Sequence, residues 1–526
     1  MKKSLLLISL LILSLTTWAA QLNPFAYDLS SKLSDDQKTL LVSYRLNAPA
    51  TGITITVFCD GEQYYTHTYT GNAKNYDDAR IHTLEVPMTD FPGGLCTWEI
   101  TVTGEKVLKP TQVGNGYSFY SPQGLAIDKD PDSEYFGRIL MTEARQAVPS
   151  SGYTSSGKGA GIYVFSPNFT TDGVVHQGGL NFVRVLQPYS NNHNGGYQPW
   201  RVKISDDGRI FVSSLDKRGD KVIVWEVSKD LSTWNPVIQG TNDYDANYQL
   251  LNTDKTFYAG LNCSMDVIGS GEDLKLLLYS TSKSGVESFD QSGYRLDEYA
   301  LGTSTTFTGS PTNVINGGQY GVVHTEVDFI YDGEGGYWFG GSRGGTEGQP
   351  NLAHINSEGE EDFNDYSSAL YGGGGILIHN GMLFKGIARS SETNGKFRIY
   401  TLGKDVEGKP TLEMKWDVVS TGLGRNHNAF AVDYAENLYV VGNSNEKILA
   451  FALPYSGSIT TPAPSQYSYE LGKKLNPYAY DLHTTIDNNG AIQLHYTLNA
   501  DAKRVQVILM DANKEYTFRD YNGEIV

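Results

Sequence analysis

The chain has 526 residues, 41 basic against 59 acidic, and a formal charge of −18. That balance repels nucleic-acid phosphates and anionic membrane surfaces, so nucleic acid is set aside as a partner. Hydrophobic residues at 39%, aromatics at 12%, 57 glycines and 35 tyrosines describe a globular, turn-rich chain suited to sheets and exclude a disordered one.

At the start, Lys2 and Lys3 precede an apolar run from Leu5 to Leu15, and Thr17-Trp18-Ala19 places small residues at both positions read by a signal peptidase. Residues 1–19 are therefore expected to be an export signal, and the mature protein to be secreted, extracellular or on the outer cell surface. Near the cleavage site no cysteine offers a lipoprotein anchor, and no later run reaches the ~18 uninterrupted apolar residues of a membrane-crossing helix. Residues 20–106 alternate strand-like runs (TLLVSYRL, GITITVFCDGEQYYTHTY, IHTLEVPM, CTWEITVTG) with turns and show no helical period, which predicts a small antiparallel β-sandwich of immunoglobulin type. In an exported chain its Cys59 and Cys96 are either a disulfide or two small buried hydrophobes. Cys263 stands apart, and no Cys/His cluster has the spacing of a zinc site.

Residues 107–456 repeat one all-β pattern six times, with units starting at Pro122, Pro199, Cys263, His324, Gly372 and Arg425. The clearest is RNHNAFAVDYAENLYVVGNSNEKILAFALP from Arg425 to Pro454: three short strands, apolar at alternate positions, joined by an acidic and a polar turn. Imperfect all-β repeats of this kind predict a six-bladed β-propeller, with Tyr117 to Tyr120 supplying an outer strand to the last blade. Residues 457–474, which take in GSITTPAPSQYS, read as a semi-rigid Ser/Thr/Pro-rich linker. From residue 475 to 526 the first module begins again: LNPYAYDL repeats LNPFAYDL of Leu22 to Leu29, and LHYTLNADAKRVQVILM repeats VSYRLNAPATGITITVF with one residue deleted. Asp511 stands where the first copy has Cys59, so the fold does not depend on a cysteine there. No counterpart of IHTLEVPM or CTWEITV is found in this copy, so it is expected to be an incomplete sandwich whose remaining strands come from a longer chain or from another one.

The repeated module, with Asn-Pro-Phe or Asn-Pro-Tyr near its start and the hairpin at Val57 to Gly61, resembles the flagellar-hook-capping-type immunoglobulin modules of secreted bacterial proteins. The repeats between the two copies resemble NHL-type six-bladed propellers. The first resemblance implies that the modules act as spacers, often followed by a sorting domain for outer-membrane secretion. The second implies a ligand site at the mouth of a central channel.

Residues entering the inner strands are where such a site would form: Ser121 and Gln123, Trp200 and Arg201, Ser264 and Asp266, His324 and Glu326, His379, and Arg425, His427 and Asn428. The channel-mouth binding set is Arg201, His324, Glu326, Arg425, His427 and Asn428. His324 and Glu326, two apart on a strand, share a face, which suits a pair of metal ligands and equally a hydrogen-bonded plug. Arg201 and Arg425 suit a carboxylate bound bidentately and equally the carbonyls of the blades. His379 beside Asn380-Gly381 reads as a turn residue, and Asp128, Asp207, Asp332 and Asp433 as turn caps. A second set, Tyr189, Tyr197 and Trp200 in the loop YSNNHNGGYQPW, has the aromatic faces and amides of a sugar-binding surface, or is an ordinary long loop.

Catalytic signatures are sparse. There is no G-x-S-x-G and no HExxH, and SKDLSTW at Ser228 to Trp234 approaches a sialidase Asp-box only once and without its glycine. Two functions from different classes follow. The first is a non-catalytic binding protein whose propeller recognises a glycan or an extracellular protein, with no cofactor. The alternative is a metal-dependent, lactonase-like hydrolase or lyase acting from the channel, with Glu143, Asn262 and Asn428 around calcium. A purely architectural surface-layer role is a third.

Overall fold

A computed structural model of the chain describes residues 20–35, 37–76, 80–88, 93–119, 122–143, 161–169, 198–215, 222–239, 264–280, 295–316, 328–341, 350–367, 370, 374–387, 395–423, 427–442, 447–471, 477–498, 502, 504–511 and 514–517. Most of them are in β strands, and helix among them is confined to short 3-10 turns. No described helix is long and apolar enough to cross a membrane.

Six antiparallel sheets follow one another along the chain, and their first strands are Pro122–Ile127, Gln198–Ile204, Ser264–Ile268, Asp328–Tyr331, Ile376–His379 and His427–Val432. Within each sheet the strands pair in chain order, as short hairpins dictate. The sixth takes its fourth strand, Thr111–Ser118, from ahead of the first sheet, where it pairs with Lys447–Ala452. Each first strand touches the first strand of the next sheet, and that of the sixth touches that of the first, so the six close a propeller-like ring. The chain thus enters and leaves through one sheet, which covers an edge that would otherwise be open.

The alternation read in the sequence explains how neighbouring sheets adhere. Middle strands are buried on both faces, and successive side chains enter different cores. Phe211 packs with Val224, Met265 and Leu276 between the second and third sheets, while its neighbours Ile210 and Val212 pack with Leu140 and Val164 between the first and second. Leu277 and Tyr279 join Phe329 and Phe339 on the third sheet's other side. One apolar cluster fills each of the six interfaces.

Ahead of the ring, two sheets face each other across a single core. One is Ala26–Leu33, Thr39–Leu46 and His82–Pro87; the other is built on Glu62–Tyr69, Gly52–Cys59 and Gly94–Thr103. Leu40, Val42, Tyr44, Ile55, Trp98 and Ile100 are buried between them. Cys59 and Cys96 stand opposite each other on neighbouring strands and are joined as a disulfide. The stretch expected to be a linker is instead part of this unit: Ser458–Pro462 and Tyr469–Leu471 both pair with Gly94–Thr103. Its Thr- and Pro-rich composition suits an edge strand, where a missing N–H is tolerated.

The module is fastened to the ring through the Asn-Pro-Phe motif. The Asn23 side chain donates to the carbonyls of Glu436 and Leu453 at 3.0 and 3.1 Å, and its backbone N–H donates to Asn437 Oδ1 at 2.7 Å. Phe25 is fully buried against Phe136 and Ala435 of the ring. Leu22 joins the core between the sixth and first sheets.

Candidate functional site

Polar side chains converge where the first strands enter the ring, and at three of those strands the register shifts there. The breaks fall between Pro122 and Gly124, Pro199 and Val202, and His427 and Ala429, so that Gln123, Trp200 with Arg201, and Asn428 are each left out of the ladder. Such a bulge re-aims the side chains it carries. Asn428 Nδ2 reaches across from the sixth sheet to the first, donating to Pro122 O at 3.1 Å and Gln123 Oε1 at 2.9 Å. Arg201, 4% exposed, donates through its guanidinium to Gln123 O and, at 3.2 Å, to Asp328 Oδ1. One side chain of the second sheet is therefore bonded to the first and the fourth.

The remaining joints are polar as well. Lys203 pairs with Asp266 at 3.1 Å, and the other oxygen of Asp266 accepts the Tyr331 N–H at 3.2 Å, linking the second, third and fourth sheets. Lys385 Nζ donates to Gly341 O of the fourth sheet at 3.3 Å and to Gly386 O at 2.8 Å. The Gly375 N–H donates to His427 O, joining the fifth to the sixth. Gly386 is required beside it, because a Cβ there would lie 2.8 Å from His427 Cβ.

Burial sets the protonation of these groups. Desolvation lowers the Lys385 ammonium to about 7, with Asp328 opposing the shift. His427 is lowered to about 3 by burial and by the neighbouring Lys385 charge, so it is a neutral imidazole. It lies face to face with Phe430 and edge-on to Phe397, in the core between the fifth and sixth sheets. Its Nε2 is 3.0 Å from Ser420 Oγ, and its Nδ1 has no partner among the described residues.

Of the six channel-mouth residues, the structure brings Arg201 and Asn428 together on Gln123. It places His427 in an inter-sheet core rather than at the mouth, since the bulge begins just after it. His324, Glu326 and Arg425 lie outside the described residues, as do Tyr189, Tyr197 and Asn262. Trp200 is partly exposed beside Arg201, and Glu143 is fully buried at the end of its strand. His379, read as a turn residue, is instead the last residue of the strand Ile376–His379, where it pairs with Met382 across the Asn380-Gly381 turn, and its Nε2 lies 2.8 Å from Glu436 Oε2. Asp332 and Asp433 cap their turns, each through one oxygen accepting two backbone N–H groups. In the second sheet Ser205 Oγ takes that role, accepting the Arg209 N–H, while Asp207 accepts the Ser205 hydroxyl.

Asp328 and Lys385 are the site residues that sequence reasoning missed. Asp328 continues the alternation of His324 and Glu326 by one more step, and Lys385 is a lone charge inside the apolar strand MLFKGI, whose partner is supplied by the neighbouring sheet. Among the described residues no group of three or more His, Cys, Asp or Glu side chains is disposed to hold a metal ion.

No protein-family model matches the chain, and no curated protein matches it. Among solved structures, similarity extends to a putative oxidoreductase (glucose dehydrogenase) from Thermus thermophilus, at 12% identity over 66% of this chain and 100% of that one, with a TM-score of 0.40. A gluconolactonase from Xanthomonas campestris is similar at 9% identity over 68% and 90% of the two chains, with a TM-score of 0.35. An auxiliary nutrient binding protein from Bacteroides ovatus is similar at 9% identity over 79% and 94%, with a TM-score of 0.31. Likeness at this level assigns no activity.

Proposed function

We propose that the chain is an exported, non-catalytic binding protein. In this reading a six-bladed β-propeller, roughly residues 107–456, recognises an extracellular glycan or protein at its mouth and is carried on an immunoglobulin-like module at 20–106. The observation that carries it is the engagement of the inner polar groups with one another. Arg201 holds Asp328 and Gln123, Asn428 holds Gln123, and Lys385 donates to two carbonyls. A hydrolytic centre needs a base, nucleophile or metal set turned toward substrate; these side chains are turned toward the neighbouring blades. Recognition then falls to the rim, where Trp200 presents a partly exposed indole and the sequence adds Tyr189 and Tyr197. The Cys59–Cys96 disulfide supports export, because such bonds persist in oxidising compartments.

A glycan-array screen of the full chain tests this. Saturable binding that is lost in Trp200→Ala and kept in Trp416→Ala, on an outer strand, is the expected result. Hydrolysis of a lactone dependent on added calcium, with no glycan or protein bound, would replace this reading with the lactonase-like one.

A further inference from the structure

Two histidines face each other across the hairpin formed by Ala479–Ile486 and Ile492–Leu498. That hairpin repeats the first two strands of the N-terminal module in register. Ala479 faces Leu498 as Ala26 faces Leu46, and the ladder breaks between Tyr480 and His483 as it does between Tyr27 and Ser30. At each break an aspartate takes the left-handed conformation, Asp481 at φ 55 and Asp28 at φ 54. Past the break the copies diverge: the first pairs Ser30 with Ser43, the second His483 with His495. In the first copy these positions lie on the outer face of the sandwich. Val42 and Tyr44, on either side of Ser43, point into the core, while the Ser43 hydroxyl lies exposed, 3.1 Å from that of Thr83. Core packing therefore does not account for the two histidines.

Their rings are exposed and stacked, 4.8 Å between centroids and 9° between planes. His483 Nδ1 lies 3.1 Å from Asp481 O. A carbonyl only accepts, so a neutral His483 carries its proton on Nδ1 and presents the Nε2 lone pair. His495 engages Thr485 Oγ1 through Nε2 at 3.1 Å, and its Nδ1 has no partner among the described residues. Histidines that bind metals are held in this way, one ring nitrogen tied to a carbonyl or carboxylate and the other left for the ion. The carboxylate is at hand as well. Asp28 of the first copy is engaged by Arg45 at 2.9 Å, whereas Thr497 stands at the place of Arg45 in the second, and Asp481 Oδ1 lies 3.9 Å from His483 Nδ1.

We propose that His483 and His495 form a site for a divalent transition-metal ion of the kind that prefers imidazole: copper, nickel or zinc. His483 Nε2 and His495 Nδ1 are the ligands, Asp481 steadies the His483 ring through Nδ1, and water fills the remaining positions. Two parallel rings cannot both point at one ion, so the His495 ring turns about its Cβ–Cγ bond and exchanges the Thr485 contact for the metal. On an exposed side chain that is a fast motion with no packing against it. Copper binds most tightly, as expected for nitrogen ligands in a site that imposes no geometry of its own.

The test titrates Cu2+ into the full chain, followed by calorimetry and electron paramagnetic resonance. A saturable site is expected, with imidazole nitrogen among the ligands in the spectrum and with Ni2+ and Zn2+ competing more weakly. Its affinity falls as the pH is lowered from about 7.5 to about 5.5, because protons compete for the imidazole nitrogens. His483→Ser and His495→Ser each restore the residue that the first copy carries in the same hairpin, so the fold is kept. Each weakens binding about tenfold or more, the least that loss of a group holding the ion costs. His67→Ala, an exposed histidine of the first module, leaves it unchanged. Three outcomes overturn the proposal: no saturable site, a site that survives both serine substitutions, or a spectrum with oxygen ligands alone.

Discussion

The ring and the N-terminal module are built from the same kind of strand but close in opposite ways. The module closes on a dry core of Leu40, Val42, Tyr44, Trp98 and Ile100 and is cross-linked by a disulfide. The ring has dry cores between its sheets, but its centre is joined by Arg201, Asp328, Lys385, Gln123 and Asn428. Two facing sheets bury everything between them. Six sheets meeting at an axis leave inner-strand ends with unmatched backbone and little room, which a few polar side chains satisfy. The ring's stability should therefore depend on charge and pH, and the module's on volume.

The largest expected effect is at Asp328. Asp328→Asn leaves Arg201 and Lys385 buried without their carboxylate, and removing one partner of a buried pair costs roughly 3–5 kcal/mol; urea unfolding of the ring measures it. If the variant unfolds like the native chain, the polar centre is not what joins the sheets. Trp98→Ala tests the other side, with a loss of about 3–5 kcal/mol expected from a core aromatic. That loss should be the same at pH 5 and pH 8, read by chemical unfolding of the module. Next comes reduction of Cys59–Cys96, which spans 37 residues and should lower the module's stability by about 2–4 kcal/mol while leaving the ring's transition in place.

The pH contrast rests on His427. Its folded value is depressed from 6.5 to about 3, so the folded chain binds fewer protons than the unfolded one between those values. Its contribution is present above pH 6.5 and lost as pH falls through 3. His427→Gln should flatten the ring's acid-unfolding profile in that window without touching the module's. The smallest effect expected is Asn23→Ala, about 1–2 kcal/mol from lost hydrogen bonds at the joint. It appears as faster hydrogen exchange across the module–ring contact rather than as unfolding of either part.

Much of this was legible in the residues, and the failures are specific. Six repeats with alternate apolar positions marked the six sheets, because a two-residue period is all a strand needs to divide its side chains between two cores. The strand entries singled out Arg201 and Asn428, and the structure bonds both to Gln123. His427 misled because a period-2 reading carries no warning of a bulge, and the shift at His427/Ala429 sends it into the core. Lys385 was passed over because it lies on a second strand, and only the closing of the fourth sheet against the fifth brings Gly341 O to its amine. Ser458–Pro462 read as linker because its pairing partner, Gly94–Thr103, lies more than half the chain away.

What the sequence determined by itself was local: strand period, turn chemistry at Asp332 and Asp433, and the duplicated Asn-Pro-aromatic motif. The first two depend on neighbours a few residues apart, and the third on comparing two stretches of the same chain. What only the tertiary structure decided was which polar groups meet: Arg201 with Asp328, Asn428 with Gln123, Asn23 with Asn437. These partners are brought together by closing the ring and docking the module, and residues far apart in the chain carry no local mark of that closure.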